Sequence, residues 1–172
     1  MMDYVARLQH AHRMEVAGEA VYATAARLTW RPNRRAKWLA LAELEKQIKE
    51  EIALQIRNHG SAVQPPAFEL RIGQAAGALI AALPWRLSLR MLTSIAERAV
   101  PFWEGLERDF PDGNPEFLAR LTAHERAQVE FAQRELGGDG GRSLDPVVAL
   151  IRRDFVSTKS RGRITEKVID AQ

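Results

Sequence analysis

Apolar residues recur along this chain at three- and four-residue spacing and period-two alternation is missing, so the pattern predicts helices rather than a sheet. The long segments are filled with Ala, Leu, Glu, Arg and Gln, all good helix formers. A first helix is predicted from about Asp3, a candidate N-cap, to about Leu28, with Leu8, Ala11, Glu15, Gly18, Glu19, Tyr22 and Ala26 along one stripe. Pro32 opens a second helix to about Asn58, whose inward stripe is Leu41, Glu45, Ile48, Ile52 and Ile56. The Pro65-Pro66 pair favours an extended connection that crosses one end of a bundle.

The region from about Leu70 to Phe110 is predicted as a short apolar lead-in followed by a main helix from about Pro84. Pro84 and Pro101 are each expected to start, kink or break a helix, because proline lacks the amide donor. A further helix, from about Pro115 to Leu136, carries Leu118, Leu121, Glu125, Gln128 and Ala132 and stops at Gly137-Gly138. Asp145 and Pro146 cap a short last helix. The expected fold is all-α: an antiparallel four-helix bundle with a crossover connection and a short C-terminal helix over residues 1–154, then a polar, basic and mobile tail over 155–172.

Composition narrows the class. At 172 residues the chain suffices for one domain with a sizeable core, and 46% hydrophobic residues set it apart from disordered chains. The balance of 25 basic against 22 acidic residues is too even for a phosphate-tracking surface, so nucleic acid is not expected as a partner. The absence of cysteine excludes disulfides, thiolate zinc sites and cysteine nucleophiles, and fits a cytoplasmic protein. The start has no secretory pattern. The most apolar stretch, Ile72 to Leu83, is well short of the roughly 20 residues needed to span a bilayer, so peripheral contact with the inner membrane face is the most it suggests.

Four glutamates, Glu19, Glu45, Glu97 and Glu125, lie among apolar residues on these helices. Burying an ionised carboxylate costs several kcal/mol, so each needs a cation, a hydrogen-bond network or a proton. Two divalent metal ions would balance four such charges. Two-metal bundles draw two glutamates from two helices and a Glu-x-x-His unit from each of the others. Here the corresponding histidine positions hold Ile48 and Gln128, so Gln128 offers only a neutral amide oxygen as an extra ligand.

Alternatives stay open at several positions. Glu15 competes with Glu19 for the inward position, and Glu104 competes with Glu97. Arg13, Lys49, Arg98 and Arg126 are placed to make a metal-free ion-pair core instead. His124 adjoins Glu125 and so points about 100° away around an ideal helix, which suggests a surface or supporting role for it and for His12. Tyr22 is read as a packed core tyrosine or a donor beside the site, and Trp85, Phe102 and Trp103 as core or as the lining of an apolar channel. The run Gly137 to Gly141 lacks the strand-to-helix context of a phosphate loop and reads as a flexible linker; no Gly-x-Ser-x-Gly elbow occurs.

The chain resembles the ferritin-like diiron carboxylate proteins, and within them the demethoxyubiquinone hydroxylases of ubiquinone biosynthesis. The resemblance covers roughly Leu8 to Leu136. It rests on Ala17-Gly18-Glu19 with Tyr22, on Leu44-Glu45, on the glycine-bearing apolar run Arg71 to Leu83 leading to Ala96-Glu97 and Phe102-Trp103, and on His124-Glu125. It implies a four-helix bundle holding two ions of iron, or manganese, between Glu19, Glu45, Glu97 and Glu125, with Glu45 and Glu125 bridging. It further implies an oxidoreductase or hydroxylase acting on an apolar or quinone-like substrate reached from an interfacial face. A metal-free structural or lipid-binding descendant of the fold and a ferroxidase-type iron handler are the alternatives, and a homodimer is expected from the apolar surface of the third region.

Overall fold

The computed structural model describes residues 4–110 and 113–151. Asp3 and the tail over 155–172 lie outside the described residues. Every regular element within them is helical: α1 (Tyr4–Leu28), α2 (Pro32–Asn58), α3 (Ala67–Ala82), α4 (Trp85–Asp109), α5 (Pro115–Gly137) and a last helix α6, described over 145–151. None of them is long and apolar enough to cross a membrane.

Local chemistry explains the boundaries. Pro32 and Pro115 each occupy a first-turn position, where the missing amide donor costs nothing. The Asn114 side chain accepts the Phe117 amide at 3.1 Å and caps α5, whose far end turns off through Gly138 at φ 90°, a left-handed conformation that favours glycine. The glycine run beyond it is not a free linker. Gly140 offers its carbonyl to Lys37 Nζ at 2.8 Å, and Lys37 also pairs with Glu135, so this turn is tied to α2 and α5.

One feature of the third region differs from the sequence expectation. The apolar lead-in is a full 16-residue helix, α3. It packs along α1 because Gly73 and Gly77 let the two backbones meet: a methyl at 77 would stand 2.9 Å from Thr24 Cβ, and one at 73 would stand 2.8 Å from Ala20 Cβ. Pro101, expected to start, kink or break a helix, sits inside α4 without ending it. It lies on the exposed side, where the carbonyl deprived of its amide partner meets water.

Helix α1 packs against α2 and α3, α4 packs against α5, and α2 meets α5. The core runs through this join. Leu8, Ala11 and Ala25 of α1, Trp38, Leu41, Leu44, Ile48, Ile52 and Ile56 of α2, Leu89, Trp103 and Leu106 of α4, and Leu121 and Phe131 of α5 are at most 1% exposed, so one continuous apolar interior surrounds whatever polar groups lie within it.

Candidate metal centre

Three helices send polar side chains into that interior. On α1, Glu15, Gly18 and Tyr22 follow at helical spacing and share a face. Gly18 leaves the gap into which Glu45 of α2 reaches: a methyl at 18 would fall 2.8 Å from the Glu45 carboxylate carbon, and nearer still to Oε2. From α5 come His124, Glu125 and Gln128. Glu15, Glu45, His124, Glu125 and Gln128 are all buried, and His124 has no exposed surface at all.

One carboxylate oxygen each from Glu15 and Glu45 and one ring nitrogen of His124 lie within 4.8 Å of one another. His124 Nε2 stands 3.4 Å from Glu15 Oε1 and 3.4 Å from Glu125 Oε2. Yet neither ring nitrogen makes a hydrogen bond, and Glu15 Oε2 has none either. Tyr22 donates its hydroxyl hydrogen to Gln128 Oε1, and Gln128 Nε2 donates to Glu45 Oε1, which fixes one oxygen of Glu45 and the orientation of the amide. The Trp103 ring of α4 meets His124 edge-on with centroids 5.2 Å apart.

The electrostatics follow from burial without a cation. No lysine or arginine pairs with Glu15, Glu45 or Glu125 among the described residues. Burial pushes the Glu15 carboxyl up to about 8, with the neighbouring Glu45 carboxyl opposing the rise and the charge of Glu125 adding to it. Glu45 is raised well above the ordinary carboxylate range by burial and by Glu15, against the pull of His124 and Gln128. Burial raises Glu125 to about 7, with His124 opposing and Glu45 adding to the rise. Near neutral pH these groups hold protons, or surrender them to a cation.

The geometry suits a cation. Two bonds of about 2.1 Å meeting at a tetrahedral angle hold their donor atoms roughly 3.4 Å apart, and the His124 to Glu15 separation is 3.4 Å. Carboxylate oxygens with one imidazole nitrogen are donors for iron, manganese or zinc. An imidazole with both nitrogens unbonded in a dry interior is costly unless something occupies the space it faces.

Among the predicted ligands, Glu45, Glu125 and Gln128 come together at this centre, whereas Glu19 and Glu97 lie apart from it. Glu19 is half-buried and paired with Lys49, the ion pair that the alternative reading anticipates. Glu97 is exposed on α4, so that helix brings no carboxylate to the centre. Its competitor Glu104 is exposed as well and pairs with Arg126 at 2.6 Å. Glu15, the competitor to Glu19, takes the inward position, three residues before the glycine that admits Glu45.

His124 departs from the expectation of a peripheral role. It and Glu125 point about 100° apart, but α5 packs between α4 and α2 and buries a wide arc, so both directions face the interior. His12 is buried too. Its imidazole is shifted down by burial and by Lys49, Arg57 and Arg13, and it lies outside the group whose donor atoms converge.

Fold and site together define a class: an all-helical protein with a buried carboxylate and imidazole cluster. Comparison with protein-family models, with curated proteins and with solved structures gave no match.

Proposed function

We propose that this protein binds a divalent metal ion, iron or manganese, between Glu15, Glu45 and His124, with Glu125 beside them, and that it is a ferritin-like metal carboxylate oxidoreductase. The observation that carries this reading is the convergence of three buried donor atoms within 4.8 Å, one of them from an imidazole without a hydrogen bond. With Glu19 and Glu97 elsewhere, the buried carboxylates number three. One divalent ion and one retained proton neutralise them, so a single-ion centre is favoured over the two-ion site expected from four glutamates.

A redox-active ion held by Glu15, Glu45 and His124 would supply one-electron chemistry toward oxygen or peroxide. The chain's own contribution is orientation and exclusion of water. Gln128 holds one oxygen of Glu45 while Gly18 makes room for the other. The apolar walls keep competing ligands out. An apolar or quinone-like substrate is the class that such a lining accepts, and the exposed Phe68, Ile72 and Leu79 of α3 offer an apolar surface over which it could arrive.

Metal titration under anaerobic conditions tests the reading. Purified protein freed of metal should take up about one Fe(II) or Mn(II) per chain and release protons as it does so. Glu45→Ala and His124→Ala should each abolish the uptake. No binding of either ion to the folded protein overturns the proposal.

One observation favours a second reading. A carboxylate oxygen of Glu15 and one of Glu45 lie within 4.8 Å of each other and burial raises both carboxyls, which retained protons satisfy without metal. In that case the fold is a metal-free ligand- or lipid-binding descendant, and its helices should melt at the same temperature with and without a strong chelator.

A further inference from the structure

A line of oxidisable rings connects the carboxylate centre to the surface. Tyr22, whose hydroxyl is bonded through Gln128 to Glu45, stacks on Trp38 with centroids 5.9 Å apart and planes 15° from parallel. Trp38, 1% exposed, meets Trp85 edge-on at 5.0 Å. Trp85 is half-buried; its indole N–H donates to Glu135 Oε2 at 2.9 Å, and Arg34 lies 5.1 Å over its ring.

The other ring clusters lack this continuity. Trp103 touches His124, but its next neighbour is Phe102, and Tyr4 meets Phe110 and His59. Phenylalanine is far harder to oxidise than tyrosine or tryptophan, so those clusters end where this one continues. Packing alone asks for volume and would be met by phenylalanine at 22 or 38. It does not ask for a hydroxyl aimed at a ligand-holding amide, or for a surface indole bonded to a carboxylate that can take its proton.

We propose that Trp85, Trp38 and Tyr22 form a one-electron route between the surface beside Arg34 and the carboxylate centre. Its use in the cell rests on the redox-metal reading given above. Tyr22 gives one electron toward the centre, where an oxidised metal ion held by Glu15, Glu45 and His124 would accept it and be reduced. The phenol proton passes to Gln128 Oε1 as Gln128 Nε2 passes one to Glu45 Oε1. Trp38 then supplies an electron to Tyr22, which recovers its proton by the reverse path, and Trp85 supplies one to Trp38. A one-electron reductant at the surface finally reduces Trp85 and is itself oxidised. While oxidised, the Trp85 indole shares its proton with Glu135.

The chain contains no cysteine, so a photo-oxidant can be attached at a single chosen position. A ruthenium polypyridyl label on Arg86→Cys, exposed and next to Trp85, is to be flash-oxidised at alkaline pH, where Glu45 is ionised and can take the phenol proton, in metal-free protein carrying Trp30→Phe and Tyr4→Phe to silence the exposed indole and the other tyrosine. Electron paramagnetic resonance should then detect a tyrosyl radical that vanishes in Tyr22→Phe. In Trp38→Phe and in Trp85→Phe the signal should fall to background, with helical circular dichroism unchanged; Trp85, being half-buried, keeps the test available if the Trp38 variant does not fold.

No tyrosyl radical in the parent, or one equally strong in the folded Trp38→Phe and Trp85→Phe proteins, overturns the route. Because no metal takes part, the result is separate from the metal titration. Ion binding without radical transfer removes only the route, and radical transfer without ion binding removes only the metal reading.

Discussion

Gly18 and Glu45 fit together as gap and occupant: a methyl group at position 18 would stand 2.8 Å from the Glu45 carboxylate carbon, with Oε2 closer still. The carboxylate cannot simply swing aside, since Gln128 holds its other oxygen. Gly18→Ala should therefore weaken metal binding about 10–100-fold, as loss of a supporting contact does. Alanine also favours the helix by up to about 1 kcal/mol over glycine, so the melting temperature should move little. Parallel ion titration and thermal melts check this, and unchanged affinity in Gly18→Ala would refute the positioning role.

The raised carboxyls make the metal-free protein sensitive to alkali. Glu15 rises from 4.5 to about 8 and Glu125 from 4.5 to about 7 on folding. An acid whose folded pKa is raised binds more protons in the folded state, so stability is fully present below about pH 4.5 and declines as pH rises toward about 8. A tenfold change in proton affinity corresponds to about 1.4 kcal/mol, so the loss between pH 5.5 and 8.5 is on the order of several kcal/mol. Urea unfolding of chelator-treated protein at the two pH values should show it. Saturating metal should remove most of the decline, because the ion replaces the protons.

Substitutions of single carboxylates separate the centre from the surface positions. Glu15→Gln keeps the shape but needs no proton to stay buried. It should stabilise the metal-free protein at pH 8.5 by about 1–4 kcal/mol, the range seen when buried charges are replaced by neutral groups, while greatly weakening ion uptake. Glu97→Gln, at an exposed position, should alter neither property beyond about 0.5 kcal/mol. If Glu97→Gln lost the ion and Glu15→Gln retained it, the ligand assignment would be wrong.

Contact between α1 and α3 depends on glycine. A methyl at Gly77 would press on the Val21 carbonyl and lie 2.9 Å from Thr24 Cβ, and backbone cannot yield as a side-chain end can. Gly77→Ala should cost about 1–3 kcal/mol from overpacking, despite the gain in helix propensity. Denaturant unfolding measures the cost. Gly137→Ala is the control: nothing lies within 4 Å of a methyl there, and no such penalty is expected.

Much of the architecture is legible in the sequence. The stripes through Leu41, Glu45, Ile48, Ile52 and Ile56 and through Leu118, Leu121, Glu125, Gln128 and Ala132 are buried throughout, because a 3.6-residue period places them on one side of any helix. Pro32, Pro115 and Gly138 mark ends for local reasons that need no tertiary context. Glu45 and Glu125 are likewise visible as carboxylates trapped in apolar stripes.

What remains belongs to the third dimension. Glu15 and Glu19 are one turn apart and equally inward by period; only the placement of Lys49 beside one and of Gly18 and Glu45 beside the other separates them. The angle between His124 and Glu125 suggests a peripheral imidazole, and the angle is correct, but packing on two sides makes α5 a helix with two interior directions. Glu97 is inward only if the α4 stripe is rotated toward it, and the packing of α4 on α5 leaves it in water. The sequence by itself determined which segments are helices and which glutamates demand compensation, because period and burial cost are properties of single helices. Which carboxylates share a centre was decided by tertiary structure, because convergence depends on how helices are rotated against one another.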